Sequence, residues 1–149
     1  MNCLNRWLVA GLVAAVPLLV GCETQSSAKT EPEHPATVEH QEGSEISKLT
    51  LTDQAMKRLD IRTGTVSEEK SPRSEQTQKA VPYSSLIYDP EGKTWIYTSP
   101  QPRVFVRAPI EVDFIQGDLA YLSNGPEPGT SIATVGVAEL YGTEFTVGH

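Results

Sequence analysis

Val81-Pro82-Tyr83-Ser84-Ser85-Leu86-Ile87-Tyr88-Asp89-Pro90-Glu91-Gly92-Lys93-Thr94-Trp95-Ile96-Tyr97-Thr98 sets two runs of strand-forming residues on either side of a turn. Asp at the first, Pro at the second and Gly at the fourth position of Asp89-Pro90-Glu91-Gly92 is the signature of a type I turn. The flanking β-branched and aromatic residues then read as the arms of a hairpin. Downstream, Ser99-Pro100-Gln101-Pro102 ends the second arm. Val104 to Ile115 alternates through Ile110, Val112 and Phe114, with Pro109 arguing for an edge position or a bulge. Gln116-Gly117-Asp118 turns that run into Leu119 to Leu122, a second hairpin. Asn124 to Gly129 is a Gly/Pro loop, Ile132 to Val135 a last strand, and Val137 to Tyr141 one helical turn. Strands this short and evenly spaced predict a mainly β fold, a small β-barrel or β-roll, rather than an α/β sheet.

Upstream, Ile46 to Leu51 alternates as a strand, and Ile61 to Val66 alternates again. Between them Thr52 is placed as an N-cap, with Asp53 at the positive end of a short helix whose Ala55, Met56 and Leu59 share a face. Ser67 to Lys79 is polar, mixed in charge and contains Pro72, and reads as an internal loop. Residues 46–149 are thus expected to form one β domain.

The N-terminal part has a different composition. Arg6 supplies a positive n-region, Trp7 to Val20 an apolar run, and Leu19-Val20-Gly21-Cys22 closes it with a small residue before a cysteine. That is the layout of a bacterial lipoprotein signal: residues 1–21 are read as the signal peptide and Cys22 as the lipidated first residue of the mature chain. The apolar run is too short to span a bilayer, and Pro17 interrupts it. Acyl chains bury methylenes at about 0.8 kcal/mol each, so several chains on Cys22 make a firm anchor. The expected location is extracytoplasmic, on the surface of either the inner or the outer membrane. Residues 22–45 are rich in Glu, Ser, Thr, Pro and Gln, with six glutamates against Lys29, and read as a disordered tether with a reach of roughly 25 Å.

Charge and histidine content narrow the function. The chain carries 12 basic and 19 acidic residues, a net charge of -7, which becomes -8 once Arg6 is cleaved away. No run of Lys or Arg exists, which argues against nucleic acid as a partner. With Cys22 blocked by lipid and Cys3 removed, no disulfide can form. The three histidines are His34, His40 and His149, two in the tether and one at the chain end, so none is placed to be a fixed acid–base catalyst. No nucleotide-binding, hydrolase or metalloprotease motif occurs, and Ser84-Ser85 reads as turn residues. The expectation is a non-enzymatic protein with no cofactor beyond the covalent lipid on Cys22. His34 and His40, among Glu31, Glu33 and Glu39, are weak candidate ligands for a divalent transition metal. Glu111, Asp113 and Asp118 are read as solvent-facing. Among the aromatic residues, Tyr83, Trp95 and Tyr97 are the candidates for a protein-binding surface.

Four segments carry a resemblance: Val81 to Tyr88, Thr94 to Tyr97, Leu122 to Thr130, and Val135-Gly136-Val137-Ala138-Glu139-Leu140. They resemble the membrane-proximal part of the HlyD-like periplasmic adaptors, or membrane fusion proteins, of tripartite efflux pumps. Leu49 to Asp53 together with Arg58 to Ile61 is similar to the stretch just upstream of their barrel. The resemblance implies association with a transmembrane transporter of the resistance-nodulation-division class. Two departures stand out. Ser67 to Lys79 occupies the place where adaptors insert a barrel, a lipoyl-like domain and a long α-hairpin. Asp60 stands where the family tends to have Gly at the helix end. Two other readings accompany this one: a metal-binding envelope lipoprotein that uses its His/Glu tether, and a structural envelope lipoprotein.

Overall fold

A computed structural model describes residues 34–40 and 43–146. The signal peptide, Cys22, His149 and most of the tether lie outside the described residues. The order of elements is β1 (Ala36–His40), β2 (Ser47–Leu51), α1 (Asp53–Arg58), β3 (Arg62–Thr65), β4 (Ser67–Lys70), β5 (Thr77–Pro82), a 3-10 turn at Tyr83–Ser85, β6 (Ile87–Tyr88), β7 (Thr94–Gln101), β8 (Val104–Gln116), β9 (Leu119–Asn124), β10 (Ser131–Val135) and α2 (Val137–Thr146).

The strands follow the path β3-β10-β7-β8-β9-β5-β4, with every neighbouring pair antiparallel. β3 and β4 stand at the two ends of that path, yet Val66 alone separates them in the chain, so the sheet has to curl back on itself. The fold class is therefore as expected, a small β-barrel or roll. A side chain inside the curl comes from each strand around it: Ile132 from β10, Ile96 from β7, Ile110 from β8, Ala120 and Leu122 from β9, Val81 from β5, and Val66 from the β3–β4 junction. Successive residues of a strand point to opposite faces. Ile96 thus faces the interior while its neighbour Tyr97 faces outward, into a second core beneath the helices with Leu49, Leu51, Phe105, Ala55, Val137 and Leu140.

The 13-residue β8 organises both cores. One of its edges pairs with β7 from Val104 to Ile110. The other edge is shared, Val104–Val106 with β2 and Glu111–Gln116 with β9. Pro109 falls between those two partners, where one edge of β8 has no strand beside it, and a residue without an N–H is tolerated there. Glu111 and Asp113 face solvent, and Asp113 accepts a hydrogen bond from Gln78 Nε2 at 3.1 Å.

The expected turn at Asp89 is present. The Gly92 N–H donates to the Asp89 carbonyl at 3.0 Å and Gly92 takes a φ of +82°. α1 begins as expected, with Thr52 Oγ1 accepting from the Ala55 N–H. It ends at Arg58, and beyond the Leu59 cap the chain turns away at Asp60, whose φ of +48° is left-handed and whose carboxylate accepts from Arg62 Nε and Nη2.

Four expectations need correction. Ser99-Pro100-Gln101 does not end the second arm of the first hairpin: β7 runs on to Gln101, which pairs with Val104 after a register shift beyond Thr98, an irregularity that accommodates Pro100. The tether does not run to residue 45, because Ala36–His40 is a strand that pairs with β2 from Ala36↔Leu51 to His40↔Ser47. Only Ala36 and Val38 of β1 are apolar, so composition concealed it; β2 nevertheless offers a free ladder edge, and Glu39 meets Lys48 across the pair at 2.6 Å. The folded unit thus starts by Ala36 and not at Ile46. Ser67 to Lys79 is not a loop but two strands round a turn at residues 71–76, with Ser67↔Ala80 through Lys70↔Thr77 in register. Their polar side chains suit a ladder at the end of the sheet path, with Ser71 buried and Arg73 lying 3.9 Å over the Phe114 ring. The last helix runs five residues further than expected, about one and a half turns, reaching Thr146. Its entry depends on Gly136, at φ +75°, where a Cβ would stand 2.2 Å from Ile61 Cδ1.

The turn between β4 and β5 should accept extra length while the pairing around it does not. Inserting two glycines after Ser74 in the full chain should change the urea-unfolding free energy by less than about 1 kcal/mol, since closure entropy grows slowly with loop length. Deleting residues 46–66 should abolish cooperative unfolding, because it removes β2, α1 and β3 together with Leu49, Leu51 and Ile61 from the core.

Candidate functional site

The site lies where α2 meets the outer face of β7 and β8. Trp95 and Tyr97 are two apart on β7 and share a face, and Arg107 on β8 stands directly opposite Tyr97 in the ladder. In α2, Val137, Leu140, Tyr141 and Glu144 occur at offsets 0, 3, 4 and 7, one stripe of a helix. Val137 and Leu140 fill apolar core. Glu144 occupies the next position of the same stripe and is as deeply buried, 3% exposed, against Arg107 at 4%.

Glu144 is held by three groups. The Tyr97 hydroxyl donates to its Oε2 at 2.5 Å, the Ser47 N–H donates to its Oε1 at 3.3 Å, and Arg107 Nε lies 3.3 Å from Oε2. That last distance is an ion-pair contact, with the N–H out of line for a hydrogen bond, so Arg107 Nε has no hydrogen-bond partner among the described residues. Arg107 Nη2 donates to the Glu45 carbonyl at 2.9 Å, and the guanidinium sits 4.3 Å over the Trp95 ring and 5.2 Å from the Phe145 ring. Burial raises the Tyr97 pKa above its ordinary 10.0, and the hydrogen bond and charge of Glu144 push it further in the same direction.

Magnitudes decide what this network does. A buried ion pair roughly breaks even against apolar residues of the same shape, but removing one partner costs about 3–5 kcal/mol because the other charge is left uncompensated. The network therefore specifies where α2 docks more than it adds net stability. It also ties Glu45, ahead of β2, and Ser47, the first residue of β2, into the contact with the helix.

Beside it opens a cavity of about 540 Å³ lined by Arg107, Trp95, Tyr141, Phe145 and the turn residues Asp89 to Glu91. Trp95 Nε1 donates to Asp89 Oδ2 at 2.8 Å, and Asp89 Oδ1 accepts from the Lys93 N–H, so the turn is fixed to the wall of the cavity. The Tyr141 and Phe145 rings stand 4.7 Å apart, tilted by 49°.

The candidates taken from the sequence are distributed as follows. Tyr83 is half exposed at the 3-10 turn, where Ser84 Oγ donates to the Thr134 carbonyl and Ser85 is buried. Trp95 is nearly buried in the cavity wall. Tyr97 is fully buried and bonded to Glu144, which removes it from any partner-binding surface: its aromatic character serves the outer core. His34 is exposed ahead of β1, and His40 ends β1 with its Nδ1 2.9 Å from Ser47 Oγ. Among the described residues no group of three or more His, Cys, Asp or Glu is gathered as a metal site. The structure does not describe Cys22. Arg107 and Glu144 were not singled out from the sequence. The available signals were a charged residue at an inward position of an alternating strand and a carboxylate on the apolar stripe of a helix. Comparison with protein-family models, curated proteins and solved structures finds no match to this chain.

Tyr97→Phe should destabilise the protein by about 1–3 kcal/mol at neutral pH, since Glu144 Oε2 loses its donor. The raised pKa gives a further signature. Below pH 10 both folded and unfolded Tyr97 hold the proton and the contribution is complete. Above it the unfolded chain ionises first, so stability falls by up to about 1.4 kcal/mol per pH unit. Urea unfolding between pH 8 and 11 should show that much less alkaline loss in Tyr97→Phe; equal loss in both proteins would contradict the buried, neutral phenol.

Proposed function

We propose that this protein is a non-enzymatic, lipid-anchored, adaptor-like domain that associates with the extracytoplasmic side of a transmembrane efflux transporter of the resistance-nodulation-division class. The observation that supports this reading is the way the two halves of the domain interlock. β2 and β3, from the segment ahead of Ser67, pair with β8 and β10 from the segment behind Lys79. The turn at residues 71–76 is thus a point at which extra chain could leave and re-enter without separating the two halves. The adaptors it resembles carry their additional modules at that point of the sequence. Here that point carries a short hairpin, and on this reading residues 46–149 correspond to the membrane-proximal part.

The buried polar groups are consistent with a structural use. Tyr97, Arg107 and Glu144 bond to one another and to backbone, and spend their chemistry on docking a helix. Side chains available to a partner are Tyr83 and Tyr88, away from this network, and Phe145 at its rim; they are large, apolar and between two-fifths and just over half exposed. Aromatic residues of this kind are enriched where proteins meet. The lipid expected on Cys22 would hold the domain at the membrane without a polybasic patch, which the chain's net charge of -7 does not provide.

Affinity capture of the full chain from detergent-solubilised membranes, with mass spectrometry of what is retained, tests the reading. A polytopic transporter should be recovered reproducibly, and a Tyr83→Ala/Phe145→Ala variant should recover at least fivefold less. Recovery of soluble proteins alone would overturn it.

A further inference from the structure

The cavity beside Arg107 holds more polar chemistry than helix docking requires. Its rim carries three carboxylates, Glu45, Asp89 and Glu91, against the single amine of Lys93. Arg107, the other cation of the lining, already has its charge matched by Glu144. The cavity is therefore electronegative. Its aromatic wall includes the Tyr141–Phe145 pair, and Phe145 is 42% exposed. Exposed ring faces attract cations through their quadrupole. Arg107 is a buried side chain that lines the same cavity, and its Nε has no hydrogen-bond partner among the described residues. That Nε is sealed from solvent and faces Glu144, so the rim carboxylates and the aromatic wall carry any recognition.

We propose that this cavity receives an arginine or lysine side chain carried on an extended peptide segment of a partner protein. The cation lies against Tyr141 and Phe145, between the carboxylates of Glu45 and Glu91. A carboxylate-bearing ligand would face the three rim carboxylates. Charge thus favours a basic segment over an acidic one. The volume, about 540 Å³, suits one long side chain with its backbone. This deepens the proposed function and rests on that reading only for which protein supplies the segment.

The test uses the full chain, uniformly ¹⁵N-labelled in detergent micelles, titrated with acetyl-Ala-Arg-Ala-amide and, separately, with acetyl-Ala-Glu-Ala-amide. The Trp95 indole Nε1–H, which bonds to Asp89 in the cavity wall, is the reporter. The arginine peptide should produce a saturable shift of that signal, and the glutamate peptide should bind at least tenfold more weakly. Glu45 and Glu91 are exposed, and the Arg107 contact uses the Glu45 backbone, so a Glu45→Gln/Glu91→Gln variant keeps the fold. It should lower affinity for the arginine peptide about tenfold. Absence of a saturable shift, equal or tighter binding of the glutamate peptide, or an unchanged affinity in the double variant would each overturn the inference. Such a failure alongside continued capture of a transporter would remove this site and leave the adaptor reading standing, whereas arginine-selective binding without transporter capture would do the reverse.

Discussion

One buried carboxylate fixes the outer half of this domain. Glu144 sits on the apolar stripe of α2, where desolvation would be prohibitive without compensation. Arg107, the Tyr97 hydroxyl and the Ser47 N–H supply that compensation from β8, β7 and β2. No slide or rotation of α2 along the sheet preserves all three contacts, so a helix whose apolar residues alone could pack in several registers has one. The same guanidinium binds the Glu45 carbonyl, which links the approach to β2 to the helix position.

The inner half is held by a different constraint, closure of the sheet. Because β3 and β4 are a single chain segment bent at Val66, pairing of β3 with β10 and of β4 with β5 draws both ends of the sheet path together around Ile96, Ile110 and Ile132. β8 connects the two constraints. Phe105 and Arg107 face the helices, while Ile110 and Phe114 face the other way, and Pro109 marks the place where one edge changes partner. A change at either core is therefore felt at the cavity, whose wall is built from β7, β8, the Asp89 turn and α2.

Much of this was legible in the sequence. The Asp89-Pro90-Glu91-Gly92 turn, the alternating strands and the Thr52 cap are local signals whose physics acts over a few residues, and each appears where it was read, except that β7 continues past Thr98 to Gln101. What escaped was decided at long range. β1 contains only two apolar residues and exists because β2 needs a partner along its edge. β4 and the start of β5 are polar because they form a solvated ladder, which composition alone cannot tell from a loop. α2 extends to Thr146 because Glu144 finds Arg107, a match between residues 37 positions apart that no window of sequence contains. For the same reason Tyr97 was read as a candidate surface residue: an aromatic side chain in a strand does not reveal which face is covered until the covering helix is placed.

The central claim, that the Glu144–Arg107 pair determines where α2 sits, is tested most directly by a double-mutant cycle. Urea unfolding of Arg107→Met, Glu144→Gln and the double variant gives the coupling free energy. If the pair does what the geometry indicates, each single change costs about 3–5 kcal/mol, because the remaining partner is stranded, and the double variant costs well over 1 kcal/mol less than the sum. Costs that add to within about 0.5 kcal/mol would contradict the account.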